Sequence, residues 1–116
     1  MLDWNRISEL QEEIGPDAFH EVVALFLEEV DASLARLGRL TEPREVEGEL
    51  HFIKGCALNF GFRGLADLTA RGEMAARAGD LSGISVATVA DAYGLSKREF
   101  LAALSDPTVP RTGAVA

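Results

Sequence analysis

Apolar residues recur at steps of three or four along most of the chain, the spacing expected of one face of an α-helix. The clearest stripe runs through residues 15–40, and a second runs through residues 41–61. Two more occupy residues 65–80 and 85–104, and a short one lies at residues 7–14. Runs of β-branched residues with period-two alternation do not recur. The pattern therefore predicts four main helices preceded by a short one.

Residues that favour helix ends separate these stripes. Pro16 and Pro43 suit first helical turns, where the missing amide hydrogen costs nothing. Gly38 and Gly79 suit helix ends, and Thr41 is the candidate N-cap of the second main helix. Because the connections are short, neighbouring helices should be antiparallel. We predict an all-α fold: an antiparallel up-and-down four-helix bundle with a short extra N-terminal helix.

The length of 116 residues suits a single domain, and the hydrophobic fraction of 47% allows a packed core. We place the bundle at residues 1–104. Residues 105–116 hold two prolines and little apolar periodicity, so they are expected to form a mobile C-terminal tail.

The net charge of −8 narrows the class of partner. A domain this acidic is a poor match for nucleic acid or for an anionic membrane surface, which leaves proteins as the expected partners. No signal-peptide pattern and no apolar run of about 20 residues is visible, so a cytoplasmic protein is expected, with a monomer as the default oligomeric state. The single cysteine excludes an intramolecular disulfide.

The segment "HFIKG", residues 51–55, places an unusual set of residues on the polar side of the second main helix. At about 100° per residue, His51 lies roughly 140° from the centre of the apolar stripe and so faces solvent. Gly55 lies nearly opposite the stripe with Gly48 beside it, and Lys54 lies on the flank. Two exposed glycines cost about 2 kcal/mol of helix propensity, which packing does not repay on that face.

The expected gain is access to the histidine. Side chains on a helix lean over the preceding turn, so a large residue at position 55 would cover the imidazole. An exposed imidazole is a nucleophile at neutral pH, and the Lys54 ammonium can contact an anion held on the ring. The chain has no phosphate-binding glycine loop and no candidate ATP site, so ATP-dependent kinase activity of its own is not expected.

Residues 5–104 resemble the histidine-containing phosphotransfer (HPt) domain family. The matching residues are a His-x-x-Lys-Gly helix, an asparagine and a glycine that follow it, a leucine-rich segment and a late glutamate: His51, Lys54, Gly55, Asn59, Gly61, Leu65, Ala66, Leu68 and Glu73. Gly72 stands where the family usually has leucine, and we expect it to weaken the packing of its helix. Cys56 stands where serine is usual.

The resemblance implies a phosphorelay protein that passes phosphoryl groups between receiver-domain aspartates. His51 would be the phosphoacceptor, Lys54 the phosphate contact and Gly55 the access residue. A receiver domain or hybrid sensor kinase would be the partner, and the receiver would bring the Mg²⁺, since the chain is expected to have no metal or other cofactor of its own. Gly48, Leu58 and Phe62 are the residues we expect at the partner-binding rim.

Two other functions remain open from the sequence. The chain could be a helical adaptor that binds a receiver or kinase without carrying phosphate. It could also resemble the phosphoacceptor domain of a chemotaxis-type kinase, charged directly by an ATP-binding partner. His20 has no glycine beside it and is interpreted as ordinary surface, and Cys56 as a small half-buried residue with no base to activate it.

Overall fold

The computed structural model describes residues 2–105, and these fold as a bundle of α-helices with no strand. The all-α class is therefore confirmed. Of the predicted tail, only Ser105, which ends the last helix, is described; residues 106–116 lie outside the described residues. The five helices are α1 (Trp4–Ile14), α2 (Pro16–Leu37), α3 (Pro43–Asn59), α4 (Arg63–Arg77) and α5 (Val86–Ser105). None of these described helices combines the length and apolar character needed to cross a membrane.

Local signals account for most helix ends. Asp3 caps α1, since its Oδ1 accepts a hydrogen bond from the Arg6 amide at 3.2 Å. Pro16 and Pro43 begin α2 and α3, and Gly38 follows the last residue of α2. The expected cap at Thr41 is wrong: the residue before α3 is Glu42, and its side chain makes no capping bond. Pro43 at the start of the helix has no amide hydrogen, so one fewer amide of the first turn is left without a helical partner.

The apolar stripes predicted for α2 and α3 form the core. Phe26 of α2 stacks on Phe60 at 4.1 Å between ring centroids, and Val30, Leu50 and Ile53 are fully buried. The apolar faces of α4 and α5 pack against these side chains and complete the core. Burial of such side chains is the main force that holds the helices together.

Phe62 belongs to this core, and its predicted place on a partner-binding rim is wrong. Its ring is fully buried and packs edge-on against Phe26 at 5.0 Å and Phe100 at 5.3 Å. The prediction extended the periodicity of α3 past its last residue, Asn59. The chain reverses at Gly61, and the reversal turns Phe62 inward.

Gly72 lies on the buried face of α4, beside Leu50 of α3. A Cβ at this position would lie 3.0 Å from Cδ1 of Leu50, so a larger side chain would require the Leu50 side chain to shift. The expectation that Gly72 weakens the packing of α4 stays a prediction. Along this pair of helices, Glu47 contacts Arg77 and His51 contacts Glu73.

The turn between α3 and α4 depends on Gly61. Its φ is +73°, and a Cβ there would lie 2.7 Å from the Asp3 carbonyl oxygen. The Asp3 amide donates to the Gly61 carbonyl at 2.7 Å, so the start of the chain is bound to this turn. Glycine is required both by the left-handed backbone and by this close approach.

We predict that Gly61→Ala lowers the free energy of unfolding by about 2 kcal/mol or more, because a side chain at positive φ is strained and Asp3 would have to move. Gly38→Ala is the matched control, since Gly38 has a φ of −65° and its nearest neighbour would be an ordinary 3.7 Å away. Urea denaturation of both variants measures the difference. Equal stability of the two would contradict this account of the turn.

Candidate functional site

His51 lies in the middle of α3 with its imidazole in solvent. The side chain is 67% exposed, as the helical register predicted. A Cβ added to Gly48 or Gly55 would have no neighbouring atom within 4 Å. The fold therefore does not require glycine at either position, and the surface one turn before and one turn after the imidazole is open.

A buried carboxylate lies beneath the ring. The Glu73 side chain is 5% exposed, and its Oε2 lies 2.8 Å from Nδ1 of His51. Its Oε1 forms an ion pair with Nζ of Lys54 at 2.7 Å, and Oε2 also accepts from Nη2 of Arg77 at 3.2 Å. Arg77 in turn donates through Nε to Glu47 at 2.8 Å. We call these five side chains the Glu73 network.

The network keeps Glu73 ionised. The Lys54 ammonium is the main cause of the lowered pKa of Glu73, and the hydrogen bond with His51 lowers it further. Burial opposes both effects, because a carboxylate loses its hydration inside the protein. At neutral pH Glu73 is therefore a negatively charged hydrogen-bond acceptor.

An ionised Glu73 selects one tautomer of His51. A carboxylate only accepts hydrogen bonds, so in the neutral imidazole the proton lies on Nδ1. The other nitrogen, Nε2, then holds a lone pair. Since the ring is largely exposed while Nδ1 faces Glu73, Nε2 is the nitrogen available to an electrophile from outside. The arrangement is that of an oriented nucleophile, in which a buried acid fixes the ring and supports positive charge on it.

Lys54, the predicted phosphate contact, lies on α3 one turn after His51. Its side chain is 28% exposed, and its ammonium is already paired with Glu73. Glu73 was among the residues of the family resemblance, but no role was predicted for it. A signal was present: Glu73 falls on the buried face of α4, next to Gly72 and one turn from Thr69 and Ala76. An ionisable residue on an apolar stripe needs a partner, and such residues concentrate at functional sites.

An open apolar groove of about 910 Å³ adjoins His51 between α2 and α3. Three large apolar side chains at the groove stand out in solvent: Leu58 is 59% exposed, Leu25 55% and Phe52 39%. Leu58 was predicted at the rim, whereas Leu25 and Phe52 were missed. Gly55 also lines the groove, but Gly48 does not. Clusters of exposed apolar residues of this kind mark interaction surfaces.

The remaining candidates form no second site. Cys56 is half-buried in the groove, and burial raises the pKa of its thiol, with a smaller contribution from the charge of Glu29. The thiol is thus protonated and a poor nucleophile. His20 is exposed on α2 and lies edge-on to the Phe19 ring. Within residues 2–105, no three His, Cys, Asp or Glu side chains converge in a way that could hold a metal ion.

Comparison with protein families agrees with this geometry. Residues 21–98 match the family model of the Hpt domain, which is more than half of the chain. The protein therefore belongs to the Hpt family, whose members take part in histidine phosphotransfer in two-component signalling and interact with receiver or kinase domains. Neither the comparison with curated proteins nor that with solved structures finds a match.

We predict that Glu73→Gln lowers stability on the order of 1 kcal/mol at pH 7, because the substitution removes charge-assisted bonds to Lys54 and His51. The difference from the parent protein should shrink at acid pH. The pKa of Glu73 is lowered in the folded state, so the unfolded chain binds the proton more readily. The stabilisation is therefore full above the ordinary pKa of 4.5 and is lost as the pH falls through the lower folded pKa.

Urea denaturation at a series of pH values measures this difference. Glu99→Gln, which changes an exposed acid on α5, is the control and should show little effect at any pH. A stability difference for Glu73→Gln that stays constant from pH 7 to acid would contradict the ionised state of Glu73.

Proposed function

We propose that this protein is the phosphocarrier of a multistep two-component phosphorelay, with His51 as the phosphoacceptor. A receiver domain carrying an aspartyl phosphate would donate to His51, and a second receiver would collect the group. The observation that carries the proposal is the pairing of a buried, ionised Glu73 with Nδ1 of an otherwise exposed His51. This pairing supports Nε2 as the attacking atom.

In the transfer step, the pairing of Glu73 with Nδ1 stabilises the charge that forms on the imidazole ring. The Nε2 lone pair forms the bond to phosphorus, the bond from phosphorus to the aspartyl oxygen breaks, and the aspartate leaves as a carboxylate. The Nδ1 proton stays in place, so the ring becomes cationic as the phosphoryl group arrives. Glu73 then lies next to a charge that is greater in the transition state than in the starting state, which is the condition for electrostatic catalysis.

The partner would supply what this chain lacks. In this proposal the receiver brings the Mg²⁺ and most of the stabilisation of the phosphoryl group, while the chain presents a fixed nucleophile. Lys54 contacts the phosphoryl group once it is on Nε2. In the reverse direction, the cationic ring is a good leaving group, so the same geometry serves both acceptance and donation.

The groove beside His51 is the proposed docking surface for the receiver. Leu25, Phe52 and Leu58 would pack against apolar side chains of the receiver, and Gly55 would let the receiver's active site approach the ring. Interfaces of this type combine an apolar centre with a polar rim. The supporting scaffold is an antiparallel up-and-down bundle of α2–α5 with α1 added, acting as a monomer in the cytoplasm.

We predict that incubation with a radiolabelled phospho-receiver places acid-labile, alkali-stable label on the protein, and that His51→Gln abolishes it. His20→Gln is the matched control and should retain the label. Binding to the receiver without any label in the parent protein would instead identify a non-catalytic adaptor. Label that comes from ATP through a kinase catalytic domain, with no receiver present, would identify direct charging by a kinase.

We predict that Gly55→Leu lowers the rate of transfer from a receiver about tenfold or more, because a side chain there prevents close alignment with the partner. Stability should rise by up to about 1 kcal/mol, since an exposed helix glycine is replaced. Gly94→Leu on α5, also in open space, is the control. Stopped-flow or quenched transfer assays measure both variants. Unchanged transfer by Gly55→Leu would remove the access role.

A further inference from the structure

The Lys54 ammonium has two possible anionic partners, Glu73 and a phosphoryl group on His51, and it cannot pair fully with both at once. In the structure its ammonium lies 2.7 Å from Oε1 of Glu73 and is the main cause of the lowered pKa of that carboxylate. The proposed function requires the same ammonium to contact a phosphoryl group on Nε2 of His51. A phosphoryl dianion attracts an ammonium more strongly than a single carboxylate does. Once Lys54 turns to the phosphoryl group, Glu73 is left buried without its closest cation.

Arg77 is placed to compensate for that loss. Its Nη2 lies 3.2 Å from Oε2 of Glu73, the oxygen that also lies 2.8 Å from Nδ1 of His51. Its Nε donates to Glu47 at 2.8 Å, and Glu47 lies one turn before His51 on α3. The guanidinium is therefore held from both helices, and its contact with Glu73 does not depend on Lys54.

We propose that Arg77 is a positioning residue that keeps Glu73 ionised and aligned on Nδ1 of His51 while Lys54 moves its ammonium from Glu73 to the phosphoryl group. This inference rests on the proposed function and deepens it. Arg77 touches neither the reacting nitrogen nor the phosphoryl group, so it acts through Glu73. Its fork of donors suits this task, because one guanidinium can hold Glu47 and Glu73 together.

The charges around the ring are consistent with this exchange of partners. On α3 the charged members of the network are Glu47 and Lys54, and on α4 they are Glu73 and Arg77. Before transfer, two cations share two carboxylates. After transfer, Lys54 accompanies the phosphoryl group, and Arg77 is the cation that remains with Glu73 next to a cationic ring. Without Arg77, a buried carboxylate would have the ring as its only cationic partner.

The test uses the full chain with ¹⁵N-labelled histidine, so that the ring nitrogens of His51 report the tautomer by NMR. Four variants are compared with the parent: Arg77→Gln, Lys54→Gln, the double variant, and Arg77→Lys. Arg71→Gln is the control, because Arg71 is an exposed arginine on the same helix outside the network. Phosphoramidate, a small phosphoryl donor that loses ammonia, loads His51 without any receiver.

In the unphosphorylated protein, each single variant should keep the Nδ1–H tautomer, because the other cation still holds Glu73. The double variant should lose it and show a mixture of tautomers. In the phosphorylated protein, Arg77→Gln alone should exchange the Nδ1 proton with water about fivefold or more faster than the parent. Arg77→Lys should restore part of the protection, and Arg71→Gln should match the parent in both states.

Two results would overturn the inference: a double variant that keeps the parental tautomer, or phosphorylated Arg77→Gln that exchanges no faster than Arg71→Gln. Either would mean that Arg77 only ties α3 to α4 at the surface. The result is independent of the relay itself. If the NMR effects appear but no receiver transfers phosphate to the parent protein, the positioning role of Arg77 stands and the proposed function fails.

Discussion

The burial of one carboxylate governs the site. An ionised side chain that is 95% removed from water is tolerated only when other groups replace its hydration, and Glu73 obtains these from Lys54, His51 and Arg77. The same contacts fix the imidazole, select its tautomer and join α3 to α4. The chemistry of His51 and the packing of the helix pair therefore depend on a single set of bonds.

The surface of α3 on either side of His51 is open, and this openness lowers the stability of the helix. Gly48 and Gly55 have no neighbours that would exclude a larger side chain, and each reduces helix propensity by about 1 kcal/mol. Gly72 differs from them, since a Cβ there would lie 3.0 Å from the Leu50 side chain. Gly48 and Gly55 therefore leave the surface of α3 beside His51 open, whereas Gly72 is buried against Leu50. Natural proteins commonly trade stability for function in this way.

The start of the chain supports the groove although α1 lies before the matched residues 21–98. Arg6 donates from Nε to the Asn59 carbonyl and from Nη2 to the Asn59 side chain, both at 3.0 Å. The first of these bonds supplies a partner for the carbonyl of Asn59, the last residue of α3, which has no hydrogen-bond partner within the helix. Together with the hydrogen bond between Asp3 and Gly61, these bonds hold the turn between α3 and α4 in place. The Phe62 ring packs in the core beneath this turn.

Much of this protein could be predicted from local sequence, because helical periodicity is a property of neighbouring residues. The stripes of α2 and α3 and the exposure of His51 follow from an advance of about 100° per residue. The helix starts at Pro16 and Pro43 follow from the preference of proline for the first helical turn. The same helical periodicity gave a wrong position for Phe62, because α3 ends before that residue.

The tertiary structure alone decided which side chains meet between helices. Nothing in the spacing of residues 51 and 73 along the chain predicts that they lie in contact; that contact depends on how α4 packs on α3. The tautomer of His51, the pairing of Lys54 and the place of Arg77 were all decided there, since each depends on distances across two helices rather than along one.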